Sequence, residues 1–146
     1  MTEIEFWIPG LPVAKGRPIV STISGHARLR TPAKTVRYEG LVAHAASVAM
    51  SGAAPMRAPV MVMVDVRLPV PASWSHKRRL LALDDRVLPT VRPDLDNIVK
   101  AVLDGINGVV FEDDALVCDI ATQKRYRAEV GVRVIVSVIA GAACAR

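Results

Sequence analysis

Between Arg92 and Asp114 the chain sets six acids, Asp94, Asp96, Asp104, Glu112, Asp113 and Asp114, and one lysine, Lys100, among residues that otherwise read as core. Carboxylates crowded together repel, so a fold that keeps them close must neutralise them with a proton or a cation. Hard oxygen donors without His or Cys suit Mg²⁺, or Mn²⁺ in its place, with water filling the remaining octahedral positions. A metal held this way activates water for in-line attack on a phosphodiester and stabilises the charge that develops on phosphorus.

The spacing carries this reading further. Asp94 and Asp96 lie two apart at the entrance to a helix, so an extended entry gives them one face and turns Leu95 to the core. Asp113 and Asp114 follow the helix and its turn, far enough along for the chain to return beside the helix start with a third carboxylate. Lys100 stands four residues after Asp96, on the same helical face, where an ammonium can hold the scissile phosphate or orient the water. Each residue also has a structural reading. Asp94 or Asp96 can be an N-cap, and Asp96 with Lys100 an i,i+4 ion pair worth about 0.3 to 0.5 kcal/mol. Asp113-Asp114 can be a solvated turn, and Asp104 a structural acid two turns beyond Asp96. One N-cap does not account for the whole group.

These acids sit in a basic protein. Lys and Arg number 19 against 14 Asp and Glu, for a net charge of +5, and the pI is near 9.7. An acidic pocket in a basic surface suits a metal-dependent enzyme acting on nucleic acid. In the loop that opens the chain, Lys15 and Arg17, then Arg28, Arg30 and Lys34, have the density of a phosphate-contacting arm, and Lys77-Arg78-Arg79 repeats it. Either group can equally be a solvated surface. His26, His44 and His76 are scattered and do not make a metal site, and Trp7 and Trp74 are expected in the core.

At 146 residues, 51% of them hydrophobic, the chain is expected to form a single domain over residues 1–146 with a sizeable core. Cys118 and Cys144 are far apart, which indicates neither a disulfide framework nor a zinc site; both are expected reduced, and buried or frayed. The amino terminus lacks the pattern of a signal peptide, and the apolar run Val134 to Ala145 is shorter than the ~20 residues that span a bilayer. A soluble cytoplasmic protein with no membrane partner and no organic cofactor is expected.

The elements that must position the acids read as follows. Glu3 to Ile8 alternates like a half-buried strand and stops at Pro9-Gly10. Gly10 to Pro32 is a long loop with a short hairpin around Ser24-Gly25-His26. Lys34 to Met50 has helical spacing, Val60 to Leu68 between Pro59 and Pro69 is a central strand, and Ser75 to Leu83 is a short basic helix. Asp96 to Ile106 puts Ile98, Val99, Val102, Leu103 and Ile106 on one arc and the polar residues opposite. Val109-Val110-Phe111 is a connector, Leu116 to Arg127 with Gly131 to Ile139 predicts a terminal hairpin, and the tail from Gly141 to Arg146 is expected to fray.

Pro93-Asp94-Leu95-Asp96-Asn97 with Lys100, then Asp104-Gly105-Ile106-Asn107-Gly108 and Glu112-Asp113-Asp114-Ala115, resembles the RusA family of Holliday junction resolvases. Pro12-Val13-Ala14-Lys15-Gly16-Arg17-Pro18 and Thr31-Pro32 look like that family's opening strand and basic loop. The resemblance implies a small α/β (α+β) domain with a mixed sheet packed by helices, acting as a homodimer on branched DNA. It implies Mg²⁺ held by Asp94, Asp96 and Asp114 with Asp113 adjacent, Lys100 as the essential basic residue, and paired symmetric nicks across a four-way junction. Ile19 departs from the family's pattern where a further Arg is common, and Arg30 where an aromatic precedes Thr-Pro.

The expected activity is therefore a Mg²⁺-dependent, structure-selective DNA endonuclease resolving four-way junctions in recombination and repair, in a bacterial or prophage setting. The rivals are a nuclease for flaps or forks and a non-catalytic junction-binding protein. Carboxylates near phosphates gain nothing for simple binding, which disfavours the last. Dimerisation rests on the resemblance; an exposed apolar segment such as Val132 to Ile139 could serve as an interface, and the sequence does not assign one.

Overall fold

The computed structural model describes residues 1–145. Strand β1 (Glu3–Pro9) leads through a loop to a hairpin, β2 (Ile19–Ile23) and β3 (His26–Arg30), and then helix α1 (Ala33–Met50). Strand β4 (Val60–Leu68), helices α2 (His76–Leu83) and α3 (Leu95–Ile106), a 3₁₀ turn (Asp114–Leu116) and strands β5 (Val117–Tyr126) and β6 (Gly131–Val138) follow. Four strands form one mixed sheet in the order β1-β6-β4-β5, with β5 parallel to β4 and the other pairs antiparallel. The expected α+β class, a mixed sheet packed by helices, is what the chain adopts. No helix among the described residues is long and apolar enough to cross a membrane.

Period-two alternation sets the sheet. Ile4, Phe6 and Ile8 pair with Val136, Val134 and Val132, which pair in turn with Val62, Val64 and Val66. These rows are buried, and each fully covered valine contributes on the order of 1.5 kcal/mol or more. Helices α1 and α3 pack on this face, α1 through Tyr38, Val42, Ala46 and Met50, α3 through Ile98, Val99, Val102 and Ile106. The other face carries Trp7, Met63 and Ile135 with the ion pairs Glu5–Arg133 and Asp65–Arg67. Burial was expected for Trp7 and Trp74; both are only half-buried, Trp7 under the Arg67 guanidinium and Trp74 edge-on to Tyr126 with Arg78 over its ring.

Three expectations are corrected. The last two strands exist but are not a hairpin, because β4 lies between them and pairs with both. Crossing one strand takes about 10 Å, within reach of the four residues 127–130, and the Arg127 amide closes over the end of β4 on the Leu68 carbonyl. Val132 to Ile139 is not an exposed apolar segment either: Val132, Val134 and Val136 are core, and only alternate residues face out. Cys118 is exposed because β5 is an edge strand, whereas Cys144 is exposed in the irregular tail. Of the tail, Gly141 to Ala145 is exposed and irregular, and Arg146 lies outside the described residues.

Candidate active site

Helix α3 begins where the sequence places the first two acids. Asp94 is its N-cap, with extended backbone, yet its carboxylate makes no capping hydrogen bond. The Asp94 carbonyl accepts the first hydrogen bond of the helix, from the Ile98 amide at 3.1 Å, and its side chain accepts none from the free amides of the first turn. The capping role that would make Asp94 structural is therefore not taken up, and its oxygens face solvent. Asp96 lies in the first turn, exposed, and Lys100 and Asp104 follow at steps of four, about 6 Å of rise each along one face. Leu95 is half-buried and Ile98 fully buried, so core and polar faces of the same helix are fixed together.

The second acid group precedes β5. Asp113 accepts from the Ala115 amide at 3.0 Å and caps the 3₁₀ turn, which holds its carboxyl below the usual carboxylate range. Asp114 moves the other way. A hydrogen bond to Asp113, partial desolvation and the negative charges of Asp113 and Asp104 raise its affinity for a proton, and Lys100 only partly offsets this. Asp114 thus lies within the electrostatic reach of the middle of the α3 face, where negative charge is in excess. Excess charge on oxygen donors is what a hard divalent cation relieves. Among the described residues no three acids, His or Cys stand close enough to enclose a metal ion as they are placed. The donor chemistry fits such an ion; a closed cage is not preformed.

Beside Asp94 a cleft of about 730 Å³ opens between the β1–β2 loop and the starts of α1 and α3. Arg17, Lys34 and Arg92 line it together with Asp94 and Asn97. Arg92 was not among the basic residues singled out for DNA, although its place directly before Pro93-Asp94 was the available signal. Arg28 and Arg30 stand on the exposed strand β3. Lys77, Arg78 and Arg79 are exposed on α2, which is capped by Ser75, whose hydroxyl accepts from the Arg78 amide.

Lys15 is placed differently from the other basic residues of its loop. Its ammonium lies 2.6 Å from Glu39 on α1 and 3.0 Å from Asp104 on α3, and its amide donates to the Asn97 carbonyl at 2.9 Å. The Gly16 amide donates to the buried Thr35 hydroxyl, with Pro32 packed where a Cβ would stand. The loop is thereby tied to both helices at the cleft, and Asp104 is engaged by Lys15. A second tie comes from the sheet: Lys124 of β5 donates to the carbonyls of Val91 and Pro93. Neither tie is visible as a local pattern in the sequence.

The family model for endodeoxyribonuclease RusA matches residues 9–138, from the end of β1 to the end of β6. The uncharacterized protein YqaN of Bacillus subtilis (strain 168) is 36% identical over 138 residues, covering 93% of this chain and 96% of that protein. A match spanning the basic loop, the uncapped Asp94 with Asp96 on α3, and the acids before β5 establishes that this chain belongs to the RusA endodeoxyribonuclease family.

Proposed function

We propose that the protein is a Mg²⁺-dependent, structure-selective DNA endonuclease that resolves four-way junctions by paired nicks, working as a homodimer. The observation that carries this reading is the uncapped Asp94 at the head of an acidic helix face, opening directly onto a cleft lined by Arg17, Lys34 and Arg92. Cationic side chains there hold the phosphates on either side of the scissile bond, and the carboxylates stay free for a cation. Asp94, Asp96 and Asp114 would hold the metal, with Asp113 alongside but partly engaged by the Ala115 amide. The bound ion would supply a polarised phosphate oxygen and an activated water.

The chain's own residues do the rest. Lys100, four residues from Asp96 and from Asp104, presents its ammonium to the phosphate and stabilises the charge that grows on it. Lys15 and Lys124 hold the loop and the corner before Asp94, so that the acids meet the phosphate in a fixed frame. Two copies related by a two-fold axis match a substrate of near two-fold symmetry, in recombination or repair of DNA.

The test is cleavage of a labelled four-way junction and a matched linear duplex by the purified protein with Mg²⁺, with Mn²⁺ and with EDTA. Symmetric metal-dependent nicks at the junction are expected. Asp94→Asn, Asp96→Asn and Asp114→Asn should each abolish them while preserving or tightening junction binding, since a negative charge near phosphate is removed. Preferred cleavage of flaps or forks would redirect the substrate assignment, and binding without cleavage under any divalent metal would overturn the nuclease reading.

A further inference from the structure

The β2–β3 hairpin has two unlike faces. Its register sets Val20 opposite Leu29 and Thr22 opposite Ala27 on one face, and Ile19 opposite Arg30 and Ser21 opposite Arg28 on the other. Alternation puts His26 with Arg28 and Arg30. One face is therefore apolar and the other basic. Ser24 and Gly25, both with positive φ, make the tight turn that a two-residue hairpin loop needs.

Among the described residues the apolar face is left open to solvent. All of β3 is exposed, and Val20 and Leu29 are 65% and 72% exposed. A two-stranded ribbon is marginal by itself in water, so two paired aliphatic side chains left in solvent point to an occupant outside this chain. Charge says which kind. From Phe6 to Tyr38 there is no Asp or Glu, while Lys15, Arg17, Arg28, Arg30, Lys34 and Arg37 all lie there. An arm of one sign repels a second copy of itself and attracts a polyanion. Arg17, which lines the cleft, stands two residues before the hairpin starts, so the arm springs from the cleft's edge.

We propose that the hairpin is a wedge for branched DNA: the Arg28 and Arg30 face follows the phosphates, and the Val20–Leu29 pair packs against bases unstacked where the strands part. This rests on the branched-DNA reading above and gives it a source of selectivity. Inserting aliphatic side chains into a stacked duplex carries the cost of unstacking it, and a branch point has already lost much of that stacking. The basic face binds any DNA; the apolar pair favours the branch.

The experiment uses the full chain in EDTA, with a four-way junction carrying 2-aminopurine at the branch and a matched linear duplex. Wild type should prefer the junction and raise the probe's fluorescence. Val20→Ser/Leu29→Ser should lower junction affinity about tenfold more than duplex affinity and lose the fluorescence rise; each single substitution should show the same trend. Arg28→Ala/Arg30→Ala should weaken junction and duplex alike. If the serine variants keep the wild-type preference and fluorescence, the wedge is wrong and the branched-DNA reading stands. If wild type prefers no branched DNA over duplex, both fall. If the serine variants instead turn a dimer into a monomer in sedimentation, the face is a subunit contact and the wedge is overturned.

Discussion

The ammonium of Lys124, on edge strand β5, donates to the carbonyl of Pro93 at 3.0 Å and to that of Val91 at 2.7 Å, so the sheet fixes the corner directly before Asp94. In the register Lys124 lies beside Val66, on the helix-packed face where an apolar residue would continue the core rows. Lys124→Met keeps the stem and removes the donors. Small misplacements of reacting groups cost up to about a hundredfold in rate. Single-turnover cleavage of a four-way junction should slow about ten- to a hundredfold, with junction affinity largely kept. An unchanged rate would remove Lys124 from the positioning of Asp94.

At Gly105 α3 packs closely on α1: a Cβ there would lie 2.8 Å from Val42 Cβ and Cγ1 and 3.0 Å from the Glu39 carbonyl oxygen. Alanine is ordinarily the better helix former by about 1 kcal/mol. Here the neighbours are a β-branched stem and backbone, which cannot rotate away, and overpacking costs about 1 to 3 kcal/mol. Gly105→Ala should therefore destabilise on balance, read as a lower urea midpoint with unchanged m. A rise in stability would mean that the two helices separate easily.

Tyr38 carries an unused polar atom. It is buried on α1, its hydroxyl finds no hydrogen-bond partner among the described residues, and burial pushes its ionisation well above the usual tyrosine range. An unsatisfied buried hydroxyl costs about 1 to 3 kcal/mol. Tyr38→Phe should leave stability unchanged or raise it by about 1 kcal/mol, measured by thermal unfolding at neutral pH. A clear loss of stability would reveal a partner for that hydroxyl.

What the sequence made legible is what local physics decides. Pro59 and Pro69 bracket β4, Ser75 announces α2, and the 3.6-residue period of Ile98, Val99, Val102 and Ile106 sets α3 with its acids outward. Ser24-Gly25 marks the hairpin turn. Strand order was not legible, because a short link between two strands looks the same whether they pair or straddle a third. The ties made by Lys15 and Lys124 were hidden for a related reason. Their partners lie 24 and more residues away in sequence, and no periodicity records which cation of a basic chain meets which oxygen.

Lys15 gives a stability test with a defined pH window. Its hydrogen bond to Glu39 and, after the opposing effect of burial, its interactions with Asp104 raise its proton affinity above the ordinary lysine value of 10.5. A lysine that holds its proton more tightly folded than unfolded contributes its full stability below pH 10.5 and loses it as pH rises through the folded-state value. Lys15→Met leaves Glu39 and Asp104 without their shared cation, which should cost about 1.5 to 3 kcal/mol at neutral pH. In urea unfolding the gap between wild type and variant should be constant from pH 7 to 9 and narrow above pH 10.5. Tyr38 also lowers stability at alkaline pH, by the same sign argument, but does so in both proteins and cancels in the difference. A gap that stays constant through pH 11 would show that the Lys15 stem, and not its charge, ties the loop to the helices.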